Sequence, residues 1–219
     1  GSGQLGNAIK DVFDNSPRLT SVELVVVNRN QLNLLNYKEC KKCIKSISPL
    51  WVINAAAYTA VDEAERNSSM AMSINKDGPR AIAETLLENG GNLLQISTDF
   101  VFDGNNIEPY LPEDITNPIN VYGKSKNEGD KVIMSMLKPS NQVKIIRTSW
   151  LMGPTGKNFL KTMLRLHNNN DILRVVYDQI GSPTSTYSLA NTCWELINKS
   201  QEESNIPPIL HWSDSGVAS

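Results

Sequence analysis

Four short apolar runs constrain this chain most: Val22-Glu23-Leu24-Val25-Val26-Val27, Trp51-Val52-Ile53, Leu93-Leu94-Gln95-Ile96 and Val143-Lys144-Ile145-Ile146. Runs of this length, separated by longer stretches with helical signals, read as buried strands. Neighbouring parallel strands need a crossover of a dozen or more residues, which a helix usually supplies. The alternation therefore predicts an α/β fold with a doubly wound parallel sheet. Strands are expected at Ser21 to Val27, Trp51 to Asn54, Leu93 to Asp99 and Val143 to Ile146, with shorter ones at Leu173 to Val176 and Ile209 to Trp212. Helices are expected at Tyr37 to Ile47, Asp62 to Arg66, Asn158 to Leu166 and Thr186 to Lys199. Another should run from Ser68 to Asn89, interrupted by Gly78-Pro79 and stopped by Gly90-Gly91.

The 219 residues can bury a sizeable core. A net charge of -2 gives no electrostatic footprint for nucleic acid. No apolar run approaches the roughly 18 residues of a membrane span, and no signal peptide opens the sequence, so the cytoplasm is the expected compartment. The cysteines, Cys40, Cys43 and Cys193, are odd in number, against a disulfide framework. Cys40 and Cys43 form a C-x-x-C, but zinc would need two more ligands and the histidines, His167 and His211, are distant in sequence. No metal site is expected from these residues.

Chemistry is suggested by Val121-Tyr122-Gly123-Lys124-Ser125-Lys126. On a helix Tyr122 and Lys126 share a face one turn apart, and a cation held beside a phenol favours the phenolate. Such a pair can exchange a proton with a substrate oxygen. The spacing recurs at Tyr37 and Lys41, so context must separate the two. Only Tyr122 follows an apolar run ending in hydroxyls, Ser97-Thr98-Asp99, as a buried strand delivering polar groups at its C-terminal end would read. Tyr37 reads as a helix-surface residue. At the start, Gly1-Ser2-Gly3-Gln4-Leu5-Gly6 has the G-x-G-x-x-G spacing that lets a backbone approach a pyrophosphate. After Val27 the chain reads Asn28-Arg29; an arginine there accommodates a 2'-phosphate, which points to NADP rather than NAD.

These motifs have a common resemblance. Strand, hydroxyls, loop and Tyr-x-x-x-Lys resemble the extended short-chain dehydrogenase/reductase families. Within them the chain resembles the dTDP-4-dehydrorhamnose reductase family. The matching blocks are Gly3 to Gly6, Asn54 to Asp62, Ser97 to Gly104, Val121 to Lys126, Arg147 to Trp150 and Asp178 to Thr184, in order. The resemblance implies a Rossmann-like NAD(P)-binding domain over residues 1–150 and a smaller, partial nucleotide-sugar-binding region over 151–219, with the chain truncated at both ends. It implies a cofactor site of Gly3, Gln4, Leu5, Gly6, Arg29, Ala55, Ala56, Tyr58, Tyr122 and Lys126. Thr98, Tyr122 and Lys126 would be catalytic, and Asp99, Trp150 and Asn158 would bind substrate. In the implied reaction the 4-keto group of dTDP-4-dehydro-L-rhamnose is reduced to give dTDP-L-rhamnose. Thr98 holds the carbonyl oxygen, Tyr122 protonates it, and Lys126 lowers the tyrosine pKa and binds ribose hydroxyls. NADPH is the implied cofactor, with NADH as the alternative and magnesium left open. The implied partners are the dTDP-sugar and a second copy in a homodimer, with a role in cell-envelope polysaccharide synthesis.

Three readings stand beside one another. A nucleotide-sugar epimerase uses the same Tyr and Lys but would retain tightly bound NAD. A regulatory subunit like the beta subunit of methionine adenosyltransferase would bind dinucleotide without turnover. Related sugar dehydratases put an Asp-Glu pair after the strand threonine, whereas this chain has Thr98-Asp99-Phe100. The reductase accounts for the intact Thr98, Tyr122 and Lys126.

Overall fold

The computed structural model describes residues 1–19, 22–168, 172–203 and 205–219. A four-stranded parallel sheet organises them: β1 (Trp51–Asn54), β2 (Asn92–Thr98), β3 (Val143–Thr148) and β6 (Ile209–Trp212), in the order β1-β2-β3-β6. A second, two-stranded parallel sheet pairs β4 (Leu151–Met152) with β5 (Thr184–Ser185). The helices are α1 (Gln4–Asp14), α2 (Tyr37–Ile47), α3 (Val61–Arg66), α4 (Ser68–Met72), α5 (Gly78–Asn89), α6 (Val121–Leu137), α7 (Phe159–His167) and α8 (Thr186–Glu202). None of them is long and apolar enough to cross a membrane.

The central strands alternate between two cores. Leu94 and Ile146 face α1 and α8, where they pack with Leu5, Ile9, Leu189 and Trp194. Leu93, Val143 and Ile145 face the other way, onto Ile44, Ile82, Leu86 and Ile133 of α2, α5 and α6. Strands covered on both faces read as near-continuous apolar runs, which is why β2 and β3 were legible. The sheet is doubly wound, as expected. β6 adds to the edge of β3, so the chain beyond residue 150 returns to the main sheet.

Three expectations differ from the structure. Residues 22–28 join no ladder among the described residues; Ser21 lies outside them. Side-chain pattern alone cannot make a strand without a partner edge. Among the described residues the backbone bonds of 22–27 run from Val22 N to Leu19 O and from the Gly1 amine to Val27 O, while Val22, Val25 and Val26 stay exposed. Leu173 to Val176 likewise forms no strand; its Val175 and Val176, and Ile172 and Tyr177 beside it, are exposed rather than packed on a sheet. Finally, Gly78-Pro79 does not interrupt its helix. Pro79 sits in the first turn of α5, where a missing N–H costs little, and the break is a π-helical turn just before it, Ser73–Asp77. Gly90 ends α5 with φ of 80°, a left-handed cap.

The N-terminal half of α2 carries the second Tyr-x-x-x-Lys. The Tyr37 hydroxyl donates to Glu84, Lys41 Nζ reaches the same carboxylate at 3.1 Å, and Arg80 lies over the Tyr37 ring. This pair fastens α2 to α5. Cys40 and Cys43 are both free; Cys40 is buried in the core, and burial pushes its thiol up to about 11.

Candidate active site

Helix α6 begins where two side chains satisfy its first amides. Asn120 Oδ1 accepts from Gly123 N at 2.7 Å, and Glu65 of α3 accepts from Val121 N at 2.8 Å. Tyr122 is therefore held in the first turn, and its ring meets Phe100 edge-on at 5.5 Å. The buried stripe of α6 is unusually polar: Tyr122, Ser125, Lys126, Asn127 and Asp130 precede Ile133 and Leu137. It lies against the C-terminal half of β2 and against the π-turn. Pro79 has no N–H to give the Asn75 carbonyl four residues back. Gly129 brings α6 against that oxygen, where a Cβ would stand 2.1 Å away.

Tyr122 and Thr98 come together at the carboxyl edge of the sheet, as expected. Burial raises the Tyr122 phenol to about 12; a hydrogen bond with Thr98 pulls the other way, while Asp99 and Asp130 add to the rise. The phenol is thus protonated near neutrality. Lys126 Nζ donates to the Ile96 carbonyl at 2.6 Å in a buried position, so the ammonium is held by the strand. Burial depresses Lys126 itself, and Asp130 opposes that. The Thr98 hydroxyl donates to Asp99 Oδ1 at 3.0 Å and accepts from Phe100 N at 3.3 Å. Burial raises the Asp99 carboxyl.

Of the residues expected at the cofactor, Gly3 to Gly6 lie at the start of α1 and Ala55 and Ala56 just beyond β1. Gly3 caps α1, and a Cβ there would meet nothing within 4 Å. The first amides of α1, from Gln4 to Gly6, have no intrahelical acceptor, an arrangement suited to a phosphate. Arg29 is exposed two residues past Val27, whose carbonyl binds the Gly1 amine at 2.7 Å, so it stands near this turn. Ala55 and Ala56 are exposed just beyond β1, and Asn54 reaches back from the strand end to Gln95 at 2.8 Å. Tyr58 is half-buried, and both its backbone N and O bond the side chain of Asn75 at 2.8 and 3.0 Å.

Two substrate candidates behave differently. Trp150 has φ of 44°, a left-handed conformation that costs a bulky residue roughly 1–2 kcal/mol. Its indole covers Gly181, and its carbonyl accepts from Thr184 N at 3.2 Å. Strain of this kind collects at functional sites. The Asn158 side chain is instead fully used: Oδ1 caps α7 through Lys161 N at 2.9 Å, and Nδ2 reaches both Gln4 Oε1 and Gly153 O at 2.9 Å. Asn158 therefore links the glycine-rich turn to α7.

Sequence reading missed Asn75 and Asp130, and took Ser97 only as a strand-end hydroxyl. Asn75 also donates to Ser125 Oγ at 2.8 Å, tying the π-turn to α6. Ser97 Oγ donates to Asp130 Oδ2 at 2.5 Å. A carboxylate four residues after Lys126 was the available signal for Asp130. A surface cavity of about 450 Å³, lined by Leu35, Arg66, Asn67, Ser68, Ser69, Met70 and Ser73, includes none of the expected site residues.

The sheet, the open α1 turn and the Thr98, Tyr122 and Lys126 cluster define a Rossmann-like α/β protein with a polar site at the carboxyl ends of its strands. Residues 1–219 match the family described as RmlD substrate binding domain, and the chain belongs to that family. It is 40% identical over 197 residues to a dTDP-4-dehydrorhamnose reductase of Aggregatibacter actinomycetemcomitans, a match covering 90% of this chain and 65% of the relative. It therefore spans about two thirds of that relative's length. A crystal structure of a dTDP-4-dehydrorhamnose reductase from Clostridium acetobutylicum superposes with a TM-score of 0.90 at 36% identity, over 99% of this chain and 73% of that one. Another from Bacillus anthracis, in complex with NADP, gives 0.87 at 35% identity, over all of this chain and 73% of that one.

Proposed function

We propose that this chain serves the NADPH-dependent reduction of the 4-keto group of dTDP-4-dehydro-L-rhamnose to dTDP-L-rhamnose. One observation carries the reading: a buried, protonated Tyr122 beside Thr98 at the carboxyl edge of the sheet, one turn from a buried Lys126. The NADP complex of the Bacillus anthracis relative and the names of the relatives support the cofactor and the sugar.

The residues present fit a dinucleotide. Free amides open α1 at Gln4 to Gly6, Arg29 stands exposed past the Val22–Val27 segment, and small exposed Ala55 and Ala56 leave room for a flat ligand. When bound, NADPH supplies the hydride that goes to the ketone carbon. The Thr98 hydroxyl, freed from Asp99, holds the ketone oxygen and stabilises its growing charge. Tyr122 gives that oxygen its proton, and the tyrosinate left behind is balanced by Lys126. Trp150 lines the sugar side, and residues 151–219 contribute to the nucleotide-sugar site while 1–150 hold the cofactor. Three unpaired thiols suit a reducing compartment, so we assign the protein to the cytoplasm.

The test follows NADPH consumption with dTDP-4-dehydro-L-rhamnose, and NADPH binding by fluorescence. Tyr122→Phe should remove turnover and leave binding unchanged. Turnover persisting in that variant overturns the proton-donor assignment.

A further inference from the structure

Three polar residues line up across the sheet behind the site. Ser97 pairs in register with Arg147, and Arg147 with His211. Partners in a parallel ladder point to the same face, here the one covered by α6, since Ser97 reaches Asp130 of that helix. Asp130 is buried, one helical turn beyond Lys126. Lys126 holds the carbonyl of Ile96 at 2.6 Å and Asp130 holds the hydroxyl of Ser97 at 2.5 Å, so two turns of α6 grip two successive residues of β2. Asp130 Oδ1 makes no hydrogen bond among the described residues. A carboxylate that deep, with one oxygen unsatisfied, is costly unless neighbouring charge compensates it.

We propose that Asp130 is a positioning residue for Tyr122 and Lys126: it fixes the Lys126 turn of α6 on β2 through Ser97 and keeps a negative charge beside the Lys126 ammonium. The inference rests on the roles given to Tyr122 and Lys126 above. Burial alone would drive Lys126 towards its neutral form, and Asp130 is the neighbour that opposes it. The groups facing Asp130 are Lys126 and Tyr122 from its own helix, and Ser97 and Arg147 from the sheet. Burial raises the Asp130 carboxyl, and Lys126, Ser97 and Arg147 oppose that rise. The same carboxylate disfavours a Tyr122 phenolate. Asp130 therefore keeps the phenol protonated until a substrate oxygen takes its proton, and preserves the cation that then balances the tyrosinate.

The experiment compares Asp130→Asn, Asp130→Glu and Ser97→Ala with the wild type, reading kcat and NADPH affinity as functions of pH together with Tm. Asparagine keeps the shape and the Ser97 bond but removes the charge. We expect kcat of Asp130→Asn to fall about tenfold or more at neutral pH, and its alkaline limb to move down by about one pH unit as Lys126 loses its proton more readily. NADPH affinity should weaken over the same range. Asp130→Glu should restore much of both, and Ser97→Ala, which removes the anchor but leaves the charge, should lower kcat while shifting the alkaline limb less than Asp130→Asn does. A lower Tm with the limb unmoved, or a glutamate variant no better than asparagine, overturns the proposal. If Asp130→Asn does not fold, the other two decide: a Ser97→Ala kcat equal to that of the wild type, or an inactive Asp130→Glu that still folds, overturns it. A wild type that binds NADPH but does not reduce the sugar overturns the reductase reading alone; the pH dependence of NADPH affinity then decides the role of Asp130.

Discussion

Replacing Gly129 with alanine sets two effects of known size against each other. Inside a helix, Gly→Ala on its own stabilises by about 1 kcal/mol. Here the new methyl would stand 2.1 Å from the Asn75 carbonyl oxygen, where a carbon–oxygen contact normally needs about 3.3 Å. Helix α6 and the Ser73–Asp77 turn must then part by roughly 1 Å. The obstacle is backbone, which cannot rotate aside, so the cost should sit near the upper end of the overpacking range, about 3 kcal/mol. The clash wins, and the net loss is about 2 kcal/mol. With a urea m-value of about 2 kcal/mol/M, the unfolding midpoint should fall by about 1 M. Separating α6 from the π-turn also strains the Asn75–Ser125 bond, so turnover should drop in the same variant. Equilibrium urea unfolding followed by fluorescence and circular dichroism measures the first effect. A midpoint that stays put or rises would mean that helix propensity outweighs the close approach, and would refute the packing argument.

Two further outcomes are expected. Burial pushes the thiols of Cys40 and Cys193 up to about 11 and about 12, whereas Cys43 is half-buried on the same helix as Cys40. Iodoacetamide at neutral pH should label Cys43 first in the native protein and all three in denaturant, as read by mass spectrometry; equal native labelling of Cys40 would contradict the packing of α2. Asp103 is held down to about 2 by Tyr110, Asn105 and Asn117, which tie the loop before α6 together. A lowered folded pKa stabilises above the unfolded value near 3.8, and that contribution is lost as pH falls through about 2. Asp103→Asn should therefore flatten the dependence of stability on pH between about 4 and 2, and an unchanged slope in acid titration would remove Asp103 from the account.

Much of the frame was legible in the sequence because burial on both faces writes itself into composition. The runs at Trp51, Leu93 and Val143 had to be parallel strands, and Tyr37 to Ile47 matched its helix end to end. Residues 22–28 show where this reading stops: their alternation is that of a strand, but a strand is a pairing, and no neighbouring edge meets them among the described residues. At the site, the sequence placed Thr98 at a strand end and Tyr122 at a helix start, the two positions that meet at the carboxyl edge of the sheet. Only the tertiary structure decided how Lys126 is used. Its four-carbon stem spans several ångströms, and spacing cannot say whether the ammonium turns to the phenol or to the carbonyl of Ile96. The same holds for Asn75, Ser97 and Asp130, ordinary polar residues in the chain. Folding removes their water and leaves each of them only a few partners, brought from distant stretches of sequence.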